Sequence, residues 1–298
     1  MNKWVLATRP WSFPASATPA FIAFAYVFWM SHSGMLLSNI DWMAGLWAVF
    51  GAVLFQIAGN LISDYYDFRR GVDRKDTFGS SRMLVDGVFP PRTIWMFGVV
   101  ILAVGVLLGL VLVMRCGSQL LWIGIIGVLA AYFYYILKYH ALGDLLIFVI
   151  YGQLIALGTT YVMTSVIDWH ILAVSAPIGF LIVNILHANN TRDIRDDSKA
   201  GIRTQAMLLG LQGSKIEYIV LSVAAYVTVM VLTVVQLLPP LSLIVVITLP
   251  MMIKNIRLIS QAKVESPEVI RDLDAASAQL VLAFGLLLTL AMIVSLLF

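Results

Sequence analysis

The stretches Asn60–Asp67 (NLISDYYD) and Asn189–Asp197 (NNTRDIRDD) each end a long apolar segment of the chain. Within each stretch, two acidic residues lie three or four positions apart and so share one helix face; they are Asp64 and Asp67, and Asp193 and Asp197. Carboxylates at the end of an apolar helix lose solvation that a cation or a hydrogen-bond donor must replace, and like charges held together need positive charge between them. The stretches therefore predict a divalent-cation site, and hard oxygen ligands favour Mg²⁺ bound together with phosphate.

The composition of the chain indicates that this site belongs to a membrane protein. Of the 298 residues, 61% are hydrophobic and 12% are charged, whereas a soluble domain has about 25% charged residues. Apolar runs of roughly 20 residues recur, each long enough to cross a bilayer as a helix. The sequence predicts an all-α membrane protein, with 1–298 as a single domain and nine spans: 12–30, 42–63, 95–114, 119–137, 141–163, 169–190, 216–236, 238–253 and 277–297.

The distribution of basic residues supports nine spans and predicts their orientation. Of the 19 Lys and Arg residues, 18 fall in the N-terminus and in the connections after the second, fourth, sixth and eighth spans, and Arg115 falls on the other side. The positive-inside rule then places the N-terminus and both acidic stretches in the cytoplasm. Because the net charge of +3 follows this topology, nucleic-acid binding is not expected.

A weak internal repeat points to the ligand of the site. An Asn-x-x-x-Asp pattern ends both the second and the sixth span, and each is followed by a basic loop that contains glycine, 69–75 (RRGVDRK) and 199–204 (KAGIRT). Each copy of the repeat thus combines acidic residues that can bind a metal with basic residues that can bind an anion. Two such copies predict a pocket for a diphosphate. The alternative for the first loop is a simple topology anchor.

Four stretches carry a resemblance to a known family: 64–73 (DYYDFRRGVD), 82–87 (RMLVDG), 137–144 (LKYHALGD) and 190–204 (NTRDIRDDSKAGIRT). The chain resembles the UbiA superfamily of intramembrane aromatic prenyltransferases over nearly its whole length. Within it, the chain is most similar to the 1,4-dihydroxy-2-naphthoate polyprenyltransferases of menaquinone synthesis. The resemblance implies nine transmembrane helices around a central cavity, with cytoplasmic loops that cap it, in the inner (cytoplasmic) membrane. It also implies transfer of a polyprenyl group from an allylic polyprenyl diphosphate to dihydroxynaphthoate, with loss of CO₂ and diphosphate.

The same resemblance assigns roles to individual residues. It implies that the acidic motifs face each other across two Mg²⁺ ions, with Asp64, Asp67 and Asp73 matching the first motif and Asp193 and Asp197 the second. It matches Tyr134 and Lys138 to a catalytic Tyr-x-x-x-Lys motif, and it implies diphosphate-binding or loop-capping positions for Arg9, Arg82, Lys199, Arg203, Asn60 and Asn189. Ser63 stands where the family's first motif has Asn, so either Asn60 or water is expected to complete the metal site.

Four polar positions also have simpler interpretations. Asp144 follows Gly143 and is expected either to cap the fifth span as its N-cap or to contact substrate. His140 and His187 are expected to be interfacial hydrogen-bonding residues, and Asp196 to be solvated. Residues 255–275, which carry both signs of charge, are expected to form a solvated loop.

Other functions remain open on the sequence. An ion-coupled transporter would carry its acids near the bilayer midplane, whereas these acids lie at helix ends, which favours an enzyme at the membrane edge. A lipid-diphosphate phosphatase would share the Mg²⁺ site but would lack the Tyr-x-x-x-Lys pattern. Prenylation of 4-hydroxybenzoate or homogentisate instead of dihydroxynaphthoate is an alternative with the same mechanism.

Overall fold

The computed structural model describes residues 2–35, 39–78 and 81–297. Within these ranges, nine helices are long and apolar enough to cross a membrane, which confirms the predicted all-α membrane architecture. In chain order they are α1 Pro10–His32, α2 Trp42–Arg69, α3 Pro91–Cys116, α4 Leu120–Lys138, α5 Gly143–Thr164, α6 His170–Arg192, α7 Gln205–Val234, α8 Pro240–Ser260 and α9 Pro267–Leu297.

The last three helices differ most from their predicted bounds. Helix α7 begins at Gln205 rather than at 216, and α8 continues to Ser260 rather than ending at 253. The predicted loop 255–275 is largely wrong, because helical turns occupy Pro267–Ile270 and a regular helix starts at Leu273. Helices continue past the bilayer edge where one face packs on protein and the other meets water, and hydropathy does not detect such amphipathic turns.

Helix α6, which carries the second acidic stretch, packs in the middle of the bundle. It contacts α1, α5, α7 and α9, and its buried residues belong to the main hydrophobic cluster. Gly179 of α6 lies against Gly152 in the π-helical segment Phe148–Leu154 of α5. A Cβ atom on Gly179 would come within 2.8 Å of the Gly152 Cα, so glycine allows these two backbones to approach closely.

The ends of α2, α4 and α6 meet at one face of the bundle, where short loops join them. The segment after α6 forms a short helix, Ile194–Lys199. Its following loop pairs with the loop after α4: the Arg203 carbonyl accepts from the Ala141 amide at 2.8 Å, and the Arg203 amide donates to the Tyr139 carbonyl at 3.1 Å. Gly71 and Gly201 have φ of +70° and +71°, a left-handed conformation that favours glycine where a helix ends.

Candidate active site

A cavity of about 1130 Å³ extends from the acidic end of the bundle down between apolar walls. The two acidic stretches meet in it, although they lie more than 120 residues apart in sequence. Polar residues line its upper part; those expected from the sequence are Arg9, Asn60, Asp67, Asp73, Arg82, Tyr134, Lys138, Asn189, Asp193 and Asp197. Below them, leucine, isoleucine, valine and glycine residues of α3, α4 and α5 form the walls.

Asp67 lies at the centre of a hydrogen-bond network in the first motif. Its Oδ2 accepts from the Lys138 ammonium at 3.1 Å and from the Ser63 hydroxyl at 3.2 Å, and its Oδ1 accepts from the Tyr139 hydroxyl at 2.5 Å. The structure thus brings Lys138 directly to the first motif. Sequence reasoning missed Tyr139, because a tyrosine at a membrane edge is usually part of the interfacial aromatic belt.

Asp64 is held by two donors rather than facing the cavity. The Arg9 guanidinium forms an ion pair with it, and the Ser81 hydroxyl donates to its Oδ2 at 2.8 Å. Burial lowers the pKa of Arg9, but the combined negative charges of Asp64, Asp73 and Asp67 more than offset this, so the pKa is raised. Arg9 has φ of 54°, an uncommon conformation for a side chain other than glycine.

The second motif contains one paired and one unpaired carboxylate. Arg192 donates from two nitrogens to the two carboxylate oxygens of Asp193, each at 2.7 Å. Burial raises the pKa of Asp193, and the Arg192 charge opposes that rise. Within the described residues, Asp197 forms no ion pair. Burial raises the pKa of Asp197 to about 7 against the opposing charge of Lys138.

Asp73, in the loop after α2, resembles Asp197 in its environment. It also forms no ion pair among the described residues, and burial together with the charges of Asp67 and Asp64 raises its pKa to about 7. The amide oxygen of Asn189 is buried in the same cavity without a hydrogen-bond partner. Carboxylates and a free amide oxygen are the hard donors that Mg²⁺ prefers, so this set of residues fits the expected metal.

Asn60 and Ser63, the two residues considered for the variant motif position, both line the cavity. The Asn60 amide nitrogen donates to the Ser12 hydroxyl at 3.1 Å, which leaves its amide oxygen as the atom able to bind a metal. Ser63 donates to Asp67 instead. Asn60 is therefore better placed than Ser63 to supply an oxygen ligand.

The basic residues expected near the diphosphate divide into two groups. Arg9, Lys138 and Arg82 line the cavity, and Arg82 also donates to Asp86 at 3.0 Å. Lys199 and Arg203 are exposed and do not line it. Lys199 pairs with Asp196 at 3.0 Å. Asp196 lines the cavity and its side chain is 18% exposed, which differs from the expected solvated position.

Two further interpretations from the sequence are wrong. Asp144 does not cap the fifth span: it is buried, and it accepts hydrogen bonds from His187 and Asn190. His187 is fully buried rather than interfacial, because it lies between α5 and α7. His140 is exposed and bonds the Ile136 carbonyl at 2.7 Å, in agreement with an interfacial position.

The chain is similar to known proteins over most of its length. The model of the UbiA prenyltransferase family matches residues 27–271. The UbiA prenyltransferase domain-containing protein 1 of Danio rerio is 35% identical over 75% of this chain, and the match spans 66% of that relative's own length. The 1,4-dihydroxy-2-naphthoate octaprenyltransferase of Bacillus subtilis (strain 168) is 26% identical over 98% of this chain and 92% of its own length.

The fold is also found among solved structures. A UbiA homolog from Archaeoglobus fulgidus, bound to GPP and Mg²⁺, superposes with a TM-score of 0.60 at 18% identity over 96% of this chain and 99% of the homolog. At that identity the likeness establishes the shared helical architecture. Together with the family match over most of its residues, it shows that this chain is a multi-pass membrane protein that belongs to the UbiA prenyltransferase family.

Proposed function

We propose that this protein transfers a polyprenyl group from an allylic polyprenyl diphosphate to 1,4-dihydroxy-2-naphthoate in a Mg²⁺-dependent reaction. The products are demethylmenaquinol for menaquinone synthesis, CO₂ and diphosphate. The proposal includes one membrane domain over 1–298, located in the inner (cytoplasmic) membrane with the acidic end facing the cytoplasm. The observation that carries it is a single cavity that joins two acidic motifs and Lys138 to a long apolar extension.

The polar end of the cavity suits the diphosphate and its metal. Asp67, Asp73, Asp197, Asn60 and Asn189 would hold Mg²⁺, which when bound supplies positive charge to the diphosphate oxygens. Lys138, 3.1 Å from Asp67, can donate to an oxygen of the same diphosphate and stabilise its charge as the C1–O bond breaks. The electron pair of that bond leaves with the diphosphate.

The apolar walls of the cavity suit the rest of the reaction. They exclude water from the allylic cation, which would otherwise be hydrolysed. Tyr134 lies one helical turn before Lys138 in the same cavity, where the face of its ring can stabilise positive charge on the prenyl group. The ring of the acceptor then forms a bond to C1, and loss of CO₂ returns an electron pair to the ring as it becomes aromatic again. No strong general base is needed for that last step.

Two findings favour dihydroxynaphthoate as the acceptor. The stretches 64–73 and 137–144 are similar to the naphthoate-specific branch of the family, and the Bacillus subtilis relative that matches 98% of the chain is named for this acceptor. Its name also includes an octaprenyl donor, and the long apolar extension of the cavity is compatible with a polyprenyl tail.

Product identification tests the proposal. Purified protein is incubated with Mg²⁺, with prenyl diphosphates of several lengths, and with dihydroxynaphthoate, 4-hydroxybenzoate and homogentisate in separate reactions. We expect mass spectrometry to detect the decarboxylated prenyl naphthoquinol, and we expect Asp197→Asn to reduce its formation at least about a hundredfold. Asp76→Asn is the matched control, since Asp76 is exposed and lies outside the cavity. Prenylation of 4-hydroxybenzoate or homogentisate alone would contradict the choice of acceptor.

A further inference from the structure

A buried cluster of ionisable side chains joins α5, α6 and α7 just beneath the second acidic motif. Asp144 of α5, 2% exposed, and His187 of α6, 0% exposed, form its centre, and Glu217 of α7 lies at its edge. Burying such charges costs solvation free energy, and apolar side chains of similar size could fill the same space without that cost. None of these three side chains belongs to the acidic motifs, so the cluster requires its own explanation.

The hydrogen bonds of His187 indicate its protonation state. Its Nδ1 lies 2.6 Å from Asp144 Oδ2, and its Nε2 lies 3.0 Å from the Ser214 carbonyl oxygen. The Ser214 carbonyl oxygen can only accept, and with Asp144 ionised its carboxylate oxygen also can only accept, so in that state both ring nitrogens carry hydrogen. His187 is therefore an imidazolium, balanced by Asp144 and by Glu217, whose Oε2 is 3.5 Å from Nδ1.

A metal ion does not explain the cluster. One ligand atom each from Asp144, His187 and Glu217 lie within 4.8 Å of one another. However, two ligands of one tetrahedral zinc ion, each about 2.0–2.2 Å from the metal, lie roughly 3.3 Å apart. The separation of 2.6 Å between His187 and Asp144 is that of a charged hydrogen bond.

The other oxygen of Asp144 determines the orientation of Asn190. Asp144 Oδ1 accepts from the Asn190 amide nitrogen at 3.0 Å. Because a carboxylate offers no hydrogen, the NH₂ group of Asn190 must face Asp144, and its amide oxygen must point away from it. Asn190 lies in the wall of the cavity, one helical turn before Asp193.

We propose that Asp144, itself fixed by His187, is a positioning residue that presents the amide oxygen of Asn190 to the cavity as a further oxygen ligand for the divalent cation. Side chains that hydrogen-bond to a metal ligand fix the orientation of that ligand, and loss of such a side chain typically lowers metal affinity 10- to 100-fold. The inference rests on the proposed cation site but is independent of the acceptor. Without Asp144, the amide of Asn190 can turn over and place NH₂ where the cation requires an oxygen.

Binding of Mn²⁺ tests this inference without catalysis. Purified protein in detergent is titrated with Mn²⁺, and the free ion is measured by its electron paramagnetic resonance signal. We expect Asn190→Ala and Asp144→Ala each to weaken binding about tenfold. If Asp144 acts through Asn190, adding Asp144→Ala to Asn190→Ala produces no further loss, since the two changes remove one interaction.

Glu217→Gln is the matched control. It removes a charge from the same buried cluster without contacting Asn190, so Mn²⁺ affinity should stay within about twofold of the original even where the variant unfolds at a lower temperature. A loss comparable to that of Asp144→Ala would indicate a general electrostatic effect of the cluster and would overturn the positioning role.

Two further results would overturn the inference. One is an unchanged Mn²⁺ affinity in Asn190→Ala, and the other is a full tenfold loss from Asp144→Ala in the Asn190→Ala background. Nitrogen-15 NMR of histidine-labelled protein gives an independent test of the arrangement: His187 should show two protonated ring nitrogens at pH 7, and one unprotonated nitrogen contradicts it. If Asp144→Ala does not fold, the Mn²⁺ affinity of Asn190→Ala and this spectrum still test the inference. Failure to prenylate dihydroxynaphthoate would leave all these results unaffected.

Discussion

At the scale of single residues, the acidic side chains differ in the cation that each one already contacts. Asp64 is paired with Arg9, Asp193 with Arg192, and Asp67 with Lys138. These ion pairs hold three carboxylates in defined positions in the absence of metal. Asp73 and Asp197, which form no ion pair among the described residues, are then the carboxylates most available to an incoming cation.

Lys138 is predicted to bind the leaving diphosphate rather than the acceptor. Lys138→Ala should reduce turnover with every acceptor, and it should weaken binding of a non-hydrolysable prenyl diphosphate analogue 10- to 100-fold, as expected for a charged hydrogen bond of about 1.5–3 kcal/mol. Calorimetry of analogue binding measures this, with the exposed Lys263 changed to Ala as the control. Unaltered analogue affinity with a raised acceptor KM would instead assign Lys138 to the carboxylate of the acceptor.

The pH dependence of metal binding follows from Asp73 and Asp197. Burial raises the pKa of each to about 7 in the metal-free protein, so both carboxyls bind protons as the pH falls below 7. A cation must then displace these protons. The Mg²⁺ concentration for half-maximal activity should therefore rise as the pH falls from 8 to 6, by up to about tenfold per pH unit for each proton displaced. A constant Mg²⁺ requirement over this range would contradict the assignment of these two carboxylates as ligands.

At the scale of the helices, the hydropathy of the sequence predicts each membrane-embedded segment but not where its helix ends. Among the first six helices, α2 continues six residues past its predicted end at 63, to Arg69, because the charged motif stops the apolar run but not the helix; every other bound lies within four residues of its prediction. The helical turns before the apolar run of α7 start at Gln205 and are interrupted at Gly210, whose φ of 67° and ψ of 171° are non-helical. In the helix that follows, Lys215 and Glu217 interrupt the apolar pattern. Those turns are amphipathic, and a transmembrane hydropathy pattern cannot reveal them.

In the candidate site, too, some contacts can be predicted from the sequence and others cannot. Spacing along one helix predicts that Asp193 and Asp197 act together, because local geometry determines which side chains share a face. The contacts of Asp144 with His187, and of Tyr139 with Asp67, join helices that are distant in sequence. A single sequence carries no signal for such pairs, so the local position of Asp144 after Gly143 predicts only a helix cap or a contact with substrate.

The close contact of α5 and α6 is predicted to depend on glycine. In Gly179→Ala, the new methyl group would meet the Gly152 Cα at 2.8 Å, so the helices must separate. We expect a loss of about 1–3 kcal/mol, the usual cost of overpacking, together with reduced activity because α6 carries the second motif. Thermal unfolding in detergent measures the loss. Gly127→Ala is the control, since a Cβ there meets open space, and equal stability of the two variants would contradict the close contact.

At the scale of the whole molecule, the basic residues and the active-site cavity lie at the same end of the bundle. The second, fourth and sixth helices all end there with the residues of the cavity, and the opposite end contains Arg115, which is 3.7 Å from Asp41. The positive-inside rule thus predicts that substrate with a charged diphosphate is bound from the cytoplasm.

Cysteine labelling in intact cells tests this orientation. Asp76→Cys and Ser198→Cys place exposed thiols at the acidic end, and Ser118→Cys places one at the opposite end. A membrane-impermeant thiol reagent should label Ser118→Cys and leave the other two unlabelled until the cells are opened. The native Cys116 is buried and gives the background in the unmodified protein. Labelling of Asp76→Cys or Ser198→Cys from outside would contradict the predicted topology and indicate the opposite orientation.

The central claim is that two acidic motifs bind a divalent cation that makes prenyl transfer possible. The most direct measurement is the formation of prenylated dihydroxynaphthoate product by purified protein after treatment with EDTA, followed by addition of Mg²⁺. Because Asp73 and Asp197 line the cavity without an ion pair among the described residues, we predict that product formation ceases in the chelated protein and returns with Mg²⁺. Full turnover in the chelated, metal-free preparation would contradict the claim.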